Sequence, residues 1–188
     1  WHWSRDEFIA DGGTRLPLHH VVDTRRRILS LEQARVANIV GITIMAITAD
    51  EQVLFVRQSM RNSVQPGWFA ASASGSLDWR DVVLQAKAAA PAAPTLAKVL
   101  MHGMLRELEE DVLAGSERIT GYFRWLNRSA KPEFSGLVRL TVPLAELERR
   151  SITSAERPFT DGHAAIGVQH LLTDRPQGWS DDCAGMLA

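Results

Sequence analysis

The segment "GITIMAIT", residues 41–48, is an uncharged run rich in β-branched residues. Such a run reads as a buried strand. The polar "ADEQ" follows as a turn, and "VLFVRQS" reads as a second strand, so the two are expected to form a hairpin. A buried strand needs cover. The best candidate is a helix from about 96 to 113, with Thr95 as its cap and Gly115 as its stop.

Other elements fill in around these. Ser30 with Gln33 three residues on suggests a short helix in "SLEQARVANIV". "RNSVQPG" is a loop with Pro66-Gly67 as its turn signal. "WFAASASGS" is a strand of small residues. Residues 86–95, "AKAAAPAAPT", read as a surface linker or insertion, since Pro91 and Pro94 interrupt an alanine-rich run. "ITGYFRWL" and "SGLVRLTV" are strands joined by the loop "NRSAKPEF". "PLAELERR" is a short helix opening with Pro143. From Ser151 the tail is irregular, with one apolar patch at "IGVQHLL". Strands in mixed order around a long helix argue for an α+β or α/β sandwich.

Composition narrows the function classes. A formal net charge of −1 gives no general drive toward nucleic acid or an anionic membrane. The single cysteine, Cys183, excludes an intrachain disulfide and a cysteine-rich zinc site, which points to a reducing, cytoplasmic setting. No apolar run is long enough to span a bilayer. "WHWSRDEF" has no basic-then-apolar order and is not a signal peptide. It also lacks an initiating Met, so an N-terminal partner domain in a longer chain is compatible with it.

The expected long helix carries "HGMLRELEEDVLAG" at residues 102–115. At about 100° per residue, Leu100, Met104, Leu108 and Val112 form the core stripe, with Met101 and Leu105 alongside. Glu109 and His102 fall opposite it. Glu107, Glu110 and Asp111, at i, i+3 and i+4, share one flank, and Gly103 leaves room one turn earlier. No basic residue follows at i+4 to interleave the acids. A hard divalent cation relieves such repulsion, and Arg106 can orient a carboxylate or bind phosphate. A solvated acidic face remains the competing reading.

"RELEED" resembles the second half of the Nudix box, G-x5-E-x7-R-E-U-x-E-E-x-G-U, where U is aliphatic. Arg106 and Glu107 match its R-E, Leu108 its U, and Glu110 and Asp111 its E-E pair, Asp being a conservative change. The order of hairpin, small-residue strand, helix and further strands fits over roughly residues 40–145. The first half departs: Ala92 and Lys98 stand at the spacing of the box glycine and first glutamate, and Leu113 stands at the late glycine. Gly75 in "SGSLDW" is the substitute for the glycine, with Asp78 near the metal and residues 86–95 as an insertion inside the box.

The resemblance implies a Nudix-like α/β/α sandwich with a mixed β-sheet. It implies one domain over 1–188, with a core at about 40–145 and a C-terminal extension at 151–188. It also implies hydrolysis of a diphosphate linked to another group, commonly a nucleoside diphosphate derivative. Mg²⁺ or Mn²⁺ would sit on Glu107, Glu110 and Asp111. Nudix bases vary, coming from the box or from a distant loop. The substrate is a small nucleotide-like diphosphate, with no nucleic acid or membrane partner, and homodimerisation is the default oligomeric expectation.

Outside the box, Glu133 is a candidate base and Lys131 a phosphate ligand, both in a loop; the alternative is two solvated turn charges. Arg57, at the end of a strand, is a candidate phosphate clamp or a surface charge. Trp68, Phe123 and Trp125 can stack on a base or pack in the core. His19, His20 and His163 read as ordinary core, surface or loop residues. The opposing functional class is a catalytically inactive nucleotide-sensing or interaction module of a larger chain, favoured by Lys98, the broken first half of the box and the missing initiating Met.

Overall fold

The computed structural model describes residues 7–9, 12–17, 27–34, 39–61, 66–108, 114–126, 130–149 and 160–173. The chain divides into two compact units, Trp1–Gly41 with Tyr122–Phe134, and Ile42–Gly121 with Ser135–Ala188.

In the first unit, β1 (Glu7–Ile9) and β2 (Arg15–Pro17) pair antiparallel, with Phe8 opposite Leu16. The turn between them contains Gly12 and Gly13, both at positive φ, a conformation that glycine adopts without a Cβ penalty. The sequence reading has no strands here. The helix expected at Ser30 is a turn over residues 31–33, closed by the Gln33 amide on the Ser30 carbonyl at 3.1 Å. Residues 35–38 of that segment lie outside the described residues, as do His19 and His20.

Seven strands form one sheet, most of it in the second unit: β3 (Gly41–Ile47), β4 (Gln52–Gln58), β5 (Phe69–Ala70), β6 (Ala73–Ser76), β7 (Ala114–Trp125), β8 (Lys131–Leu140) and β9 (Thr160–Gly167). The order is β5-β4-β3-β8-β7, with β6 also on β3 and β9 also on β4. β3 and β4 form the expected hairpin, Ile47 opposite Val53. Every residue of β3 is buried, because both faces of the strand are covered. Ile42 packs beside Gly103 of the long helix. Met45 and Ile47, which alternate to the other face, join Val53, Phe55, Ala71 and Leu171 in one apolar cluster. Ser72 stitches the strands together: its Oγ accepts from the Ala46 amide at 2.7 Å and donates to the Leu54 carbonyl at 2.7 Å.

Among the described residues the helices are α1 (Trp79–Ala89), α2 (Leu96–Leu108), α3 (Leu144–Leu147) and α4 (Val168–Thr173). This is an α/β fold with a mixed sheet. Residues 86–89 correct the linker reading, since they continue α1. Alanine is the strongest helix former, and the chain leaves the helix only just before Pro91. α2 begins as expected, with Thr95 Oγ1 accepting from the Lys98 amide at 3.4 Å. Leu100, Met104 and Leu108 of the expected stripe are buried, but the residues buried alongside them are Val99 and Gly103, while Met101 and Leu105 are half-buried; Val112 lies outside the described residues.

Three further differences concern the second half of the chain. Gly115 lies within β7 rather than ending a helix. "KPEF" opens β8 and is not a loop. His163, read as a loop residue, lies in β9, which pairs with β4 along its whole length.

Candidate active site

The candidate site is built where β6, the start of α1 and the end of α2 meet in the second unit. β6 ends in "SGS", and Gly75 is covered by Glu107 from α2. A Cβ added at Gly75 would fall inside 3.0 Å of Glu107 Cδ, Oε1 and Oε2. The carboxylate of Glu107 therefore occupies the space that only a glycine leaves. Gly103 opens a similar space on α2, a turn before Glu107: a Cβ there would meet Ile42 and Leu77 at 2.9 Å and Asp81 Oδ2 at 3.2 Å. The room expected beside Gly103 is real, and it is used for packing and for Asp81.

Asp81 is fully buried. It opens α1 in a capping box with Asp78, whose amide donates to Asp81 Oδ2 at 2.9 Å. Arg106 grips the same carboxylate with two bonds of 2.9 Å, Nε to Oδ1 and Nη2 to Oδ2. His102 Nδ1 lies 3.1 Å from Oδ1. A carboxylate only accepts, so this ring nitrogen carries the proton. Burial alone would raise the Asp81 pKa, but the Arg106 hydrogen bond, the Asp78 amide, the Arg106 charge and His102 together hold it below the ordinary carboxylate value.

Arg106 extends the network to Glu107. Its Nη1 donates to Glu107 Oε1 at 2.6 Å and its Nη2 to the Ser76 carbonyl at 3.1 Å. Its pKa is raised, first by the Asp81 hydrogen bond, so it stays charged at any working pH. The guanidinium is thus pinned by Asp81 and β6, and it fixes the position of Glu107 in turn. Among the described residues no donor meets Glu107 Oε2, the oxygen available to a cation.

Of the residues expected at the site, Gly75, Arg106 and Glu107 are brought together. Glu110 and Asp111 lie outside the described residues, as does Glu109. Among the described residues, no group of three or more His, Cys, Asp or Glu is placed to hold a metal ion. Asp78 is occupied as the α1 cap, accepting from the Arg80 amide at 2.7 Å. His102 is half-buried on Asp81 rather than standing in solvent. Arg57 is exposed on β4, opposite Phe69 and Gly162.

Lys131 and Glu133 belong to the first unit. They sit two apart on β8, on one face of the strand, and form an ion pair of 3.0 Å with side chains 15% and 4% exposed. The pair covers Gly41: a Cβ there would overlap Glu133 Oε2 and Lys131 Nζ. Exposed Tyr122 packs on Phe134, half-buried Phe123 packs on half-buried Trp125 edge-on at 5.4 Å, and Trp68 is exposed, so none of the three candidate stacking rings lies in the core.

No model of a known protein family matches this sequence, and no curated protein matches it. Solved structures do. A NUDIX hydrolase from Alicyclobacillus acidocaldarius is similar with a TM-score of 0.52 at 14% identity, over 82% of this chain and 91% of that one. DR0079 from Deinococcus radiodurans is similar with a TM-score of 0.50 at 14% identity, over 97% and 96%. The fold is Nudix-like.

That fold gives the Asp81 network a reading the sequence analysis missed. The box pattern asks for an acid six positions after its glycine, and Asp81 stands six after Gly75. Counted forward from Gly75, the acid position of the pattern falls on Asp81; counted back from Arg106, it falls on Lys98. Twenty-four residues then separate Asp81 from Arg106, where the pattern has seven. The extra length is folded as most of α1, the turn at 90–95 and the first turns of α2, and the two helices pack on each other. The available signal was the G-x5-acid spacing in "GSLDWRD".

Proposed function

We propose that the chain is a Mg²⁺- or Mn²⁺-dependent hydrolase that cleaves a diphosphate linkage in a nucleoside diphosphate derivative or related small molecule. The observation that carries this reading is Glu107, seated over Gly75 and held by Arg106, which Asp81 holds in turn. Energy is committed to placing one carboxylate. A buried carboxylate and a guanidinium are costly unless paired with good geometry, and here the paired groups converge on Glu107.

The residues fit a hard cation. Carboxylate oxygens suit Mg²⁺ and Mn²⁺, Gly75 leaves the cradle, and Oε2 faces no donor among the described residues. Glu107, Glu110 and Asp111 would hold the ion, which supplies charge neutralisation on phosphate oxygens and a lowered pKa for water. The protein's own groups do the rest. Arg106 fixes the Glu107 rotamer, and Asp81 fixes Arg106. Arg57 and Lys131 are proposed as phosphate ligands, and Glu133 as the base that takes the proton. The single domain over 1–188, with its core at about 40–145, belongs to the same proposal.

The inactive-module reading draws on Lys98 and the broken first half of the box; an acid six positions after Gly75 supports the hydrolase reading over it. The test of the site is a metal titration. Mn²⁺ bound by wild-type protein and not by Glu107→Gln supports the reading, with ligand distances of about 2.0–2.1 Å expected for Mg²⁺ in a soaked crystal. Equal Mn²⁺ binding by both proteins rejects it.

A further inference from the structure

Lys98 lies on α2 beside a groove of about 480 Å³ in the second unit. Half-buried Met101, Leu105 and Ile119 give the groove an apolar lining, and exposed Lys98, Arg118 and Glu117 border it. Lys98 and Arg118 have no carboxylate partner among the described residues. The last lining residue the inference uses is His102. Its Nδ1 is committed to Asp81, so the rest of its ring is what lines the groove.

We propose that this groove is a second ligand site, for a small molecule with an anionic head, carboxylate or phosphate, on an apolar body. An apolar wall with a few convergent charges is what a small-molecule site requires. Two cations with no carboxylate partner among the described residues select an anion, and Glu117 on the same border disfavours a polyanion. The site is wired to the acidic helix. His102 touches both the groove and Asp81, Asp81 holds Arg106, and Arg106 holds Glu107. A ligand that draws on the His102 ring changes the donors on Asp81, and the coupling acts equally in reverse. Binding stands apart from the proposed catalysis; only its effect on turnover rests on that reading.

The test is a titration of the full-length, metal-free protein with octanoate and with hexyl phosphate, followed by NMR of the His102 ring and the Arg106 Nε–H. The expected result is saturable shifts of both signals. Lys98→Glu and Arg118→Glu, both at exposed positions, should each weaken binding about tenfold or more, with unchanged melting temperatures. Response to one probe alone supports the site and identifies the head group. His102→Gln should abolish the Arg106 shift at probe concentrations that saturate the groove. No saturable shift with either probe overturns the site, as does affinity indifferent to both charge reversals. An Arg106 shift that survives His102→Gln overturns the coupling. Because neither metal nor substrate is present, failure here leaves the hydrolase proposal standing, and the converse also holds.

Discussion

Gly75→Ala isolates the placement of Glu107 from everything else. The added methyl would fall inside 3.0 Å of three Glu107 atoms, where ordinary contact needs 3.4 Å or more. All three belong to the end of a flexible side chain, so the fold can absorb the change. Gly75 has no positive φ to strain, and alanine is tolerated in a short strand. The carboxylate must swing away by about 1 Å, and a misplacement of that size at reacting groups costs about 10²-fold in rate. The swing also removes the 2.6 Å bond from Arg106 Nη1. We therefore expect a melting temperature close to wild type and a loss of about 10²-fold in metal-dependent release of phosphate or monophosphate. Loss of activity through unfolding would show as a lowered melting temperature. A folded Gly75→Ala protein with activity within about threefold of wild type would refute the reasoning, because a 1 Å shift of a carboxylate that holds the proposed metal cannot be that cheap.

Asp81→Asn should destabilise the protein by about 3 kcal/mol in urea unfolding, the lower end for a broken buried pair, because Arg106 is 34% exposed and can partly rehydrate. The same residue sets an acid limit. Its folded pKa lies below the unfolded value of about 3.9, so its stabilisation is complete above that pH and is lost as pH falls through the folded value. Melting temperature measured from pH 5 to pH 2.5 should fall less steeply in Asp81→Asn than in wild type. Gly41→Ala should cost about 3 kcal/mol, because the methyl would split the Lys131–Glu133 pair and leave the Glu133 carboxylate, only 4% exposed, without its partner; calorimetry should find it less stable than Gly75→Ala. Ser72→Ala leaves the buried Ala46 amide without its acceptor and should cost about 1–3 kcal/mol in the same measurement.

What the sequence discloses, and what it hides, follows from how local each signal is. β3 is legible because both its faces are buried, so an unbroken apolar run is enough. The α2 stripe is legible because helical periodicity is local too, and Thr95 marks its start. Asp81 is hidden because its partner, Arg106, lies 25 positions away; the interrupted spacing directs attention to Ala92 and Lys98 instead. β9 is hidden because "TDGHAAIG" carries little alternation of its own and forms by pairing with β4. Lys131 and Glu133 read as loop charges because nothing local reveals that the strand runs back to Lys131, where bare Gly41 receives their ion pair. Arg57 is legible on its strand, while the phosphate-clamp role proposed for it depends on a substrate that sequence does not specify.

The most direct measurement is turnover of a panel of nucleoside diphosphate derivatives by the full chain, with Mg²⁺, with Mn²⁺ and with chelator, for wild type, Glu107→Gln and Glu110→Gln. Hydrolysis at the diphosphate linkage that needs the metal, and that falls by about 10²-fold or more in both folded variants, is the predicted result. Metal-independent hydrolysis, undiminished activity in Glu107→Gln, or no turnover of any compound would contradict it.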